Sequence, residues 1–60
     1  MTLRELLSHF TNKTVRVDLC TPVWRKRGEV RDIEKMLEGS PWLNMIVSSW
    51  TFTNLLNINM

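Results

Sequence analysis

The stretch that decides the fold is Thr14-Val15-Arg16-Val17-Asp18-Leu19-Cys20. Val15, Val17 and Leu19 alternate strictly with Arg16, Asp18 and Cys20. Successive side chains of a strand point to opposite faces, so this spacing predicts a half-buried strand with one apolar side. Thr21-Pro22 closes it, because proline has no N–H to give to a ladder. Residues 23–31 predict a second strand with weaker alternation. Gly28 inside it signals a bulge, a sharp bend or a close backbone approach.

Upstream, residues 2–10 predict a helix. Leu3, Leu6, Leu7 and Phe10 fall at i, i+3, i+4 and i+7, one helical face. Thr2 and Glu5 have capping-box spacing, each side chain within reach of the other's backbone N–H. Downstream, Asp32 is placed to cap a short helix running to Leu37, with Ile33, Met36 and Leu37 on its inner face. Gly39 is its stop, and Pro41 follows.

Residues 43–52 predict a third strand, with Ile46, Ser48, Trp50 and Phe52 on one face and Met45, Val47, Ser49 and Thr51 on the other. A strand apolar on both faces is either central or covered by a second subunit. Thr53-Asn54 is a two-residue turn candidate. Residues 55–60 form the last strand, Leu56, Ile58 and Met60 inward, Asn57 and Asn59 outward. The expected fold is α+β: an N-terminal helix packed on a bent four-stranded antiparallel β-sheet, in one domain over 1–60. An SH3- or Sm-like small barrel is its closed variant.

Composition bounds the function. The 60 residues are 43% hydrophobic and 23% charged, with formal net charge +2. That is a globular composition, and its mild basic excess does not demand a nucleic-acid partner. A chain this short buries only about 60% of its unfolded surface and commonly needs a staple. With one Cys and one His, neither an intrachain disulfide nor a four-ligand zinc site can be built. Association with a second copy is the remaining staple. The longest apolar run, Met45-Ile46-Val47, is far short of the roughly 18 residues that span a membrane. The start, Met1-Thr2-Leu3-Arg4-Glu5, lacks the apolar region of a signal peptide, and a lone cysteine suits a reducing cytoplasm. A cytoplasmic protein without a membrane partner is expected.

Catalysis is not expected. His9 and Cys20 sit in no recognisable nucleophile motif, the carboxylates are scattered and mostly near Arg or Lys, and no phosphate-binding glycine loop is present. No catalytic residue, metal or cofactor is assigned. The sharpest local feature is Trp24-Arg25-Lys26-Arg27, followed by Arg31. On an extended strand Arg25, Arg27, Glu29 and Arg31 share a side, and Arg16 projects from the neighbouring strand. Cations beside an aromatic suit a phosphate-tracking surface. Equally, they suit a solvated strand face that resists aggregation, and Asp18 and Glu29 interrupt the patch. Three tryptophans in 60 residues are the second feature. Trp is enriched at interface hot spots, and Trp50, Phe52 and Trp42 are the interface candidates.

Two resemblances extend this reading. Leu3-x-x-Leu6-Leu7, Val15-x-Val17-x-Leu19, Gly28-x-Val30-x-Asp32-Ile33 and Leu56-x-Ile58-x-Met60 together resemble small uncharacterised proteins of Firmicutes and their phages, over nearly the whole chain. Here three basic residues separate Trp24 from Gly28, where that group has one or two. The resemblance implies a helix-plus-meander fold and an accessory role for a phage or mobile element, and carries over no site residues. The helix, the V-x-V-x-L strand and Arg27-Gly28-Glu29-Val30 also resemble Sm-like small barrels. Leu43-Asn44-Met45 stands where those have Asp and Met-Asn, and their closing Arg-Gly motif is absent. That likeness implies a bent sheet more than RNA binding.

Two functions follow as expectations. The first is a non-enzymatic binding module, a homodimer or higher oligomer, acting on a host protein as inhibitor or adaptor. The second is a nucleic-acid binder using Arg16, Trp24, Arg25, Lys26, Arg27 and Arg31.

Overall fold

The computed structural model describes all 60 residues. Helix α1 spans Leu3–Ser8 and opens on the expected capping box. Glu5 N donates to Thr2 Oγ1 at 3.2 Å, and Thr2 N donates back to Glu5 Oε1 at 2.9 Å. Strand β1 is Arg16–Cys20 and β2 is Arg25–Glu29, paired antiparallel with Arg16 opposite Glu29 and Cys20 opposite Arg25. Between them Thr21 closes the hairpin: its backbone N donates to Trp24 O at 2.8 Å, and its side chain reinforces the turn. Its Oγ1 accepts from Trp24 N at 2.9 Å and donates to Trp24 O at 2.8 Å.

Helix α2, Val30–Met36, follows β2 without a loop. Its N-cap is Glu29, three residues before the expected Asp32. Asp32 instead sits in the first turn and accepts from Glu29 N at 3.4 Å. The physical reason is the apolar stripe. Val30, Ile33 and Leu37 are buried, so the helix must begin early enough to aim Val30 inward. Met36 falls off that stripe and is exposed, contrary to its expected inner position. Gly39 then takes a positive φ of 78°, which favours glycine just beyond a helix.

The expected third strand is mostly something else. Pro41–Asn44 forms a 3-10 turn capped by Ser40, whose Oγ accepts from Trp42 N at 3.2 Å. Residues 45–47 lie along the N-terminus: Leu3 N donates to Met45 O at 3.0 Å and Val47 N to Met1 O at 2.9 Å. Only Ser49–Phe52 is strand β3, and residues 53–55 join it to β4, Leu56–Asn59.

The four-stranded sheet runs β2-β1-β4-β3. β4 enters between β1 and β3, antiparallel to β3 but parallel to β1. The sheet is therefore mixed, not purely antiparallel, and it is open, with β2 and β3 at its edges rather than closed into a barrel. β3 is an edge strand, which rules out the central one of its two expected placements. The ladder passes through Gly28 opposite Val17 without a bulge, and a Cβ there would meet Asp32 Cβ at 3.6 Å, an ordinary van der Waals contact, so neither a bulge nor an unusually close approach is found.

One cluster of 12 buried residues forms the core. Leu3, Leu6 and Leu7 of α1 and Val30 and Ile33 of α2 meet Val17, Leu19, Leu56 and Ile58 of the sheet. Both helices thus cover the same sheet face, and no buried side-chain polar atom lacks a partner. No helix is long and apolar enough to cross a membrane.

Candidate functional site

Strand register assigns every sheet residue to a face, because directly paired residues point the same way. Gly28, Val17, Leu56 and Phe52 make one row across the four strands, and Lys26, Leu19, Ile58 and Trp50 the next. These rows face the helices. At β3 the helices no longer cover them, so Trp50 and Phe52 are 45% and 46% exposed. Phe52 is partly held by Phe10, edge to face with ring centroids 5.1 Å apart. Ile46, just before β3 in the chain, is 67% exposed.

Trp42 is placed elsewhere. It meets Trp24 edge to face at 5.2 Å, and both half-buried rings pack against the core. This pair removes Trp42 from the Trp50–Phe52 surface and turns Trp24 away from the arginines. The signal was legible in part: Pro41 fixes the first turn and Ser40 caps it, which sets the direction of Trp42.

The opposite face has no covering element. Its rows are Arg25, Cys20, Asn59 and Ser49, then Arg27, Asp18, Asn57 and Thr51, then Glu29 beside Arg16. Arg16, Arg25, Arg27 and Glu29 share this face as the alternation predicts. Lys26 lies on the other one. Arg31 belongs to α2 rather than to a strand, yet its Nε donates to Glu29 Oε1 at 2.9 Å, which brings it to the rim. The amides and hydroxyls of Asn57, Asn59, Ser49 and Thr51 join the arginines only because β4 lies against β1, a pairing with no local signal.

Asp18 is the electrostatic centre of that face. It is only 6% exposed, beneath two guanidinium groups. Arg25 Nε donates to Oδ1 at 2.9 Å and its Nη2 donates to Oδ2, a bidentate pair. Arg27 Nε lies 3.5 Å from Oδ2. The hydrogen bonds from Arg25 hold the Asp18 carboxyl below the usual carboxylate range; burial opposes them, and the charges of Arg25 and Arg27 add to the lowering. Arg25 is raised in turn, chiefly by its hydrogen bond to Asp18.

Beside this pair an open depression of about 670 Å3 is lined by Arg16, Arg27, Glu29 and Asp32 over Val17 and Leu55. Its two carboxylates offset its two arginines. No group of three His, Cys, Asp or Glu side chains is gathered as a metal site. His9 terminates α1 on the helix side of the sheet, while Cys20 is exposed on the polar side. Lys13 Nζ donates to Leu7 O and Glu34 Oε2, both at 3.3 Å, and so ties the end of α1 to α2.

Comparison with protein-family models, curated proteins and solved structures finds no match for this chain.

Proposed function

We propose that this protein is a non-catalytic binding module that works by protein–protein contact, with β3 as the contact edge and a second copy of the chain as its first partner. The observation that carries the reading is the difference between the two sheet edges. β2 bears Arg25, Lys26, Arg27 and Glu29 along five residues, the charged pattern that deters strand addition. β3, Ser49-Trp50-Thr51-Phe52, bears no charge, and all four residues are exposed. An unprotected edge carrying two half-exposed aromatics combines a backbone template with hot-spot side chains.

Size supports the same reading. A stable interface takes about 800 Å2 from each partner, about a fifth of this chain's 4017 Å2. The Trp50 and Phe52 side chains supply an apolar centre for it. Two-fold pairing of identical edges is the commonest closed arrangement. A module this small acts by occupying a surface, so an inhibitor or adaptor role toward a host protein is the wider function proposed, in the cytoplasm and without a cofactor. Catalysis gains no support from the placement of His9 and Cys20 on opposite sides of the sheet.

Sedimentation velocity of the wild type and of Trp50→Glu tests the reading. The wild type should sediment as an oligomer, and Trp50→Glu as a monomer with an unchanged circular dichroism spectrum. Equal sedimentation of the two folded proteins would remove β3 as the contact edge.

A further inference from the structure

We propose a second, separate binding surface: the uncovered sheet face binds the phosphodiester backbone of nucleic acid, without reading sequence. Charge placement is the first argument. Arg16, Arg25, Arg27 and Arg31 stand on this face or its rim with Asp18 and Glu29. With Asp32, which lines the depression beside Arg16 and Arg27, three carboxylates stand against these four cations, a local excess of one positive charge. A cationic excess on this side of the molecule favours contact with a polyanion.

The second argument is preorganisation. Asp18 is one carboxylate shared by two guanidinium groups, Arg25 bidentate and Arg27 at 3.5 Å. It holds both in place over the face and leaves one positive charge uncompensated. Side chains fixed before binding lose less conformational freedom on contact. Their exposed N–H groups remain free for a phosphate, since a guanidinium has five donors.

The third argument decides the class of partner. The cross-strand rows of this face contain no large apolar or aromatic side chain. A protein interface of useful affinity is centred on such anchors, whereas Arg, Asn, Ser and Thr side chains are those that contact phosphate oxygens. Three interstrand spacings make the strip from Arg27 to Thr51 about 14 Å wide. That is roughly four phosphates of one strand at 3.4 Å each. With no ring on this face, stacking contributes nothing, so recognition is by the backbone alone.

The test is fluorescence anisotropy with a labelled 20-base-pair DNA duplex, titrated at 50 mM and 200 mM salt, and with labelled polyglutamate as the competing polyanion. With about three phosphate contacts, affinity for the duplex should fall roughly 40-fold between the two salts. Arg16→Ser and Arg27→Ser should each lower the slope of log K against log salt by about one. Lys26→Ser, on the opposite face, should not change it. Circular dichroism of each variant establishes that it is folded. No duplex binding at 50 mM salt, a slope indifferent to both arginine changes, or equal affinity for polyglutamate would overturn the proposal. None of these outcomes touches the Trp50 and Phe52 contact, because the altered arginines stand on β1 and β2, away from β3.

Discussion

Asp18 of β1 is held by its diagonal neighbour on β2, Arg25, rather than mainly by Arg27 directly opposite: Arg25 Nε donates to Asp18 Oδ1 at 2.9 Å and Nη2 donates to Oδ2. The strand register makes them neighbours, and the side chains are long enough to close a bidentate pair over the sheet. Because Asp18 is buried, Arg25 does more than add surface charge. It is the counter-ion that allows a carboxylate to sit in the sheet.

Acid should therefore weaken the fold. The folded carboxyl of Asp18 titrates below its ordinary value of 3.8. A group lowered on folding binds fewer protons in the native state than in the unfolded chain. Its stabilisation is complete above about pH 5 and is lost as pH falls through the folded value. Glu5, lowered by Thr2 at the α1 cap, acts in the same direction. Urea midpoints measured from pH 7 to pH 2 should fall below pH 5, and the fall should shrink in Asp18→Asn.

The basic segment should divide into unequal members. Arg25→Ser leaves the buried Asp18 without its main partner and should lower the melting temperature clearly at pH 7. The deficit should diminish at pH 3, below the ordinary carboxylate value of 3.8, because protonation of Asp18 in the unfolded chain removes part of the stabilisation that Arg25 supplies. Lys26→Ser should change stability by less than about 0.5 kcal/mol, as expected of an exposed position without a structural partner. Thermal melts of both variants at the two pH values provide the comparison.

Helix α1 should respond to its cap and to its core residues by different amounts. Thr2→Ala removes the hydroxyl that accepts from Glu5 N and should cost about 1 kcal/mol. Leu6 is 1% exposed within the core, and Leu6→Ala should cost about 2–5 kcal/mol by leaving a cavity. Urea unfolding with matched m-values gives both numbers.

Trp42 and Trp50 should separate stability from association. Trp42→Ala breaks the edge-to-face contact with Trp24 and should cost at least about 1 kcal/mol at every protein concentration. Its oligomeric state should stay that of the wild type. Melts at two concentrations, paired with size-exclusion elution volumes, distinguish this outcome from one in which Trp42 is a contact residue.

Local patterns carried much of the fold. The spacing of Leu3, Leu6 and Leu7, the Thr2–Glu5 box, the alternation about Val17 and Leu19, and inward Leu56 and Ile58 all appear in the structure where the sequence places them. Strand order did not show locally. The parallel pairing of β1 with β4 joins Val17 to Leu56 across most of the chain, and it depends on how both helices cover one face. The boundary at Val30 was missed because Asp32 is a good cap residue, while burial of Val30, Ile33 and Leu37 starts the helix earlier. For the candidate surfaces, alternation alone grouped Arg25, Arg27 and Glu29 with Arg16. It could not reveal that Trp24 turns aside to Trp42, nor that Asn57 and Asn59 complete the polar face.

Light scattering over a hundredfold dilution series tests the central claim, that the uncharged β3 edge joins this chain to its own copy. At the concentrated end the mass should approach at least twice the 7.1 kDa of one chain, and it should fall toward 7.1 kDa on dilution. The association should persist at high salt, because its centre is Trp50 and Phe52 rather than charge. A mass of 7.1 kDa at every concentration would contradict the account and leave β3 an exposed edge without a partner in its own kind.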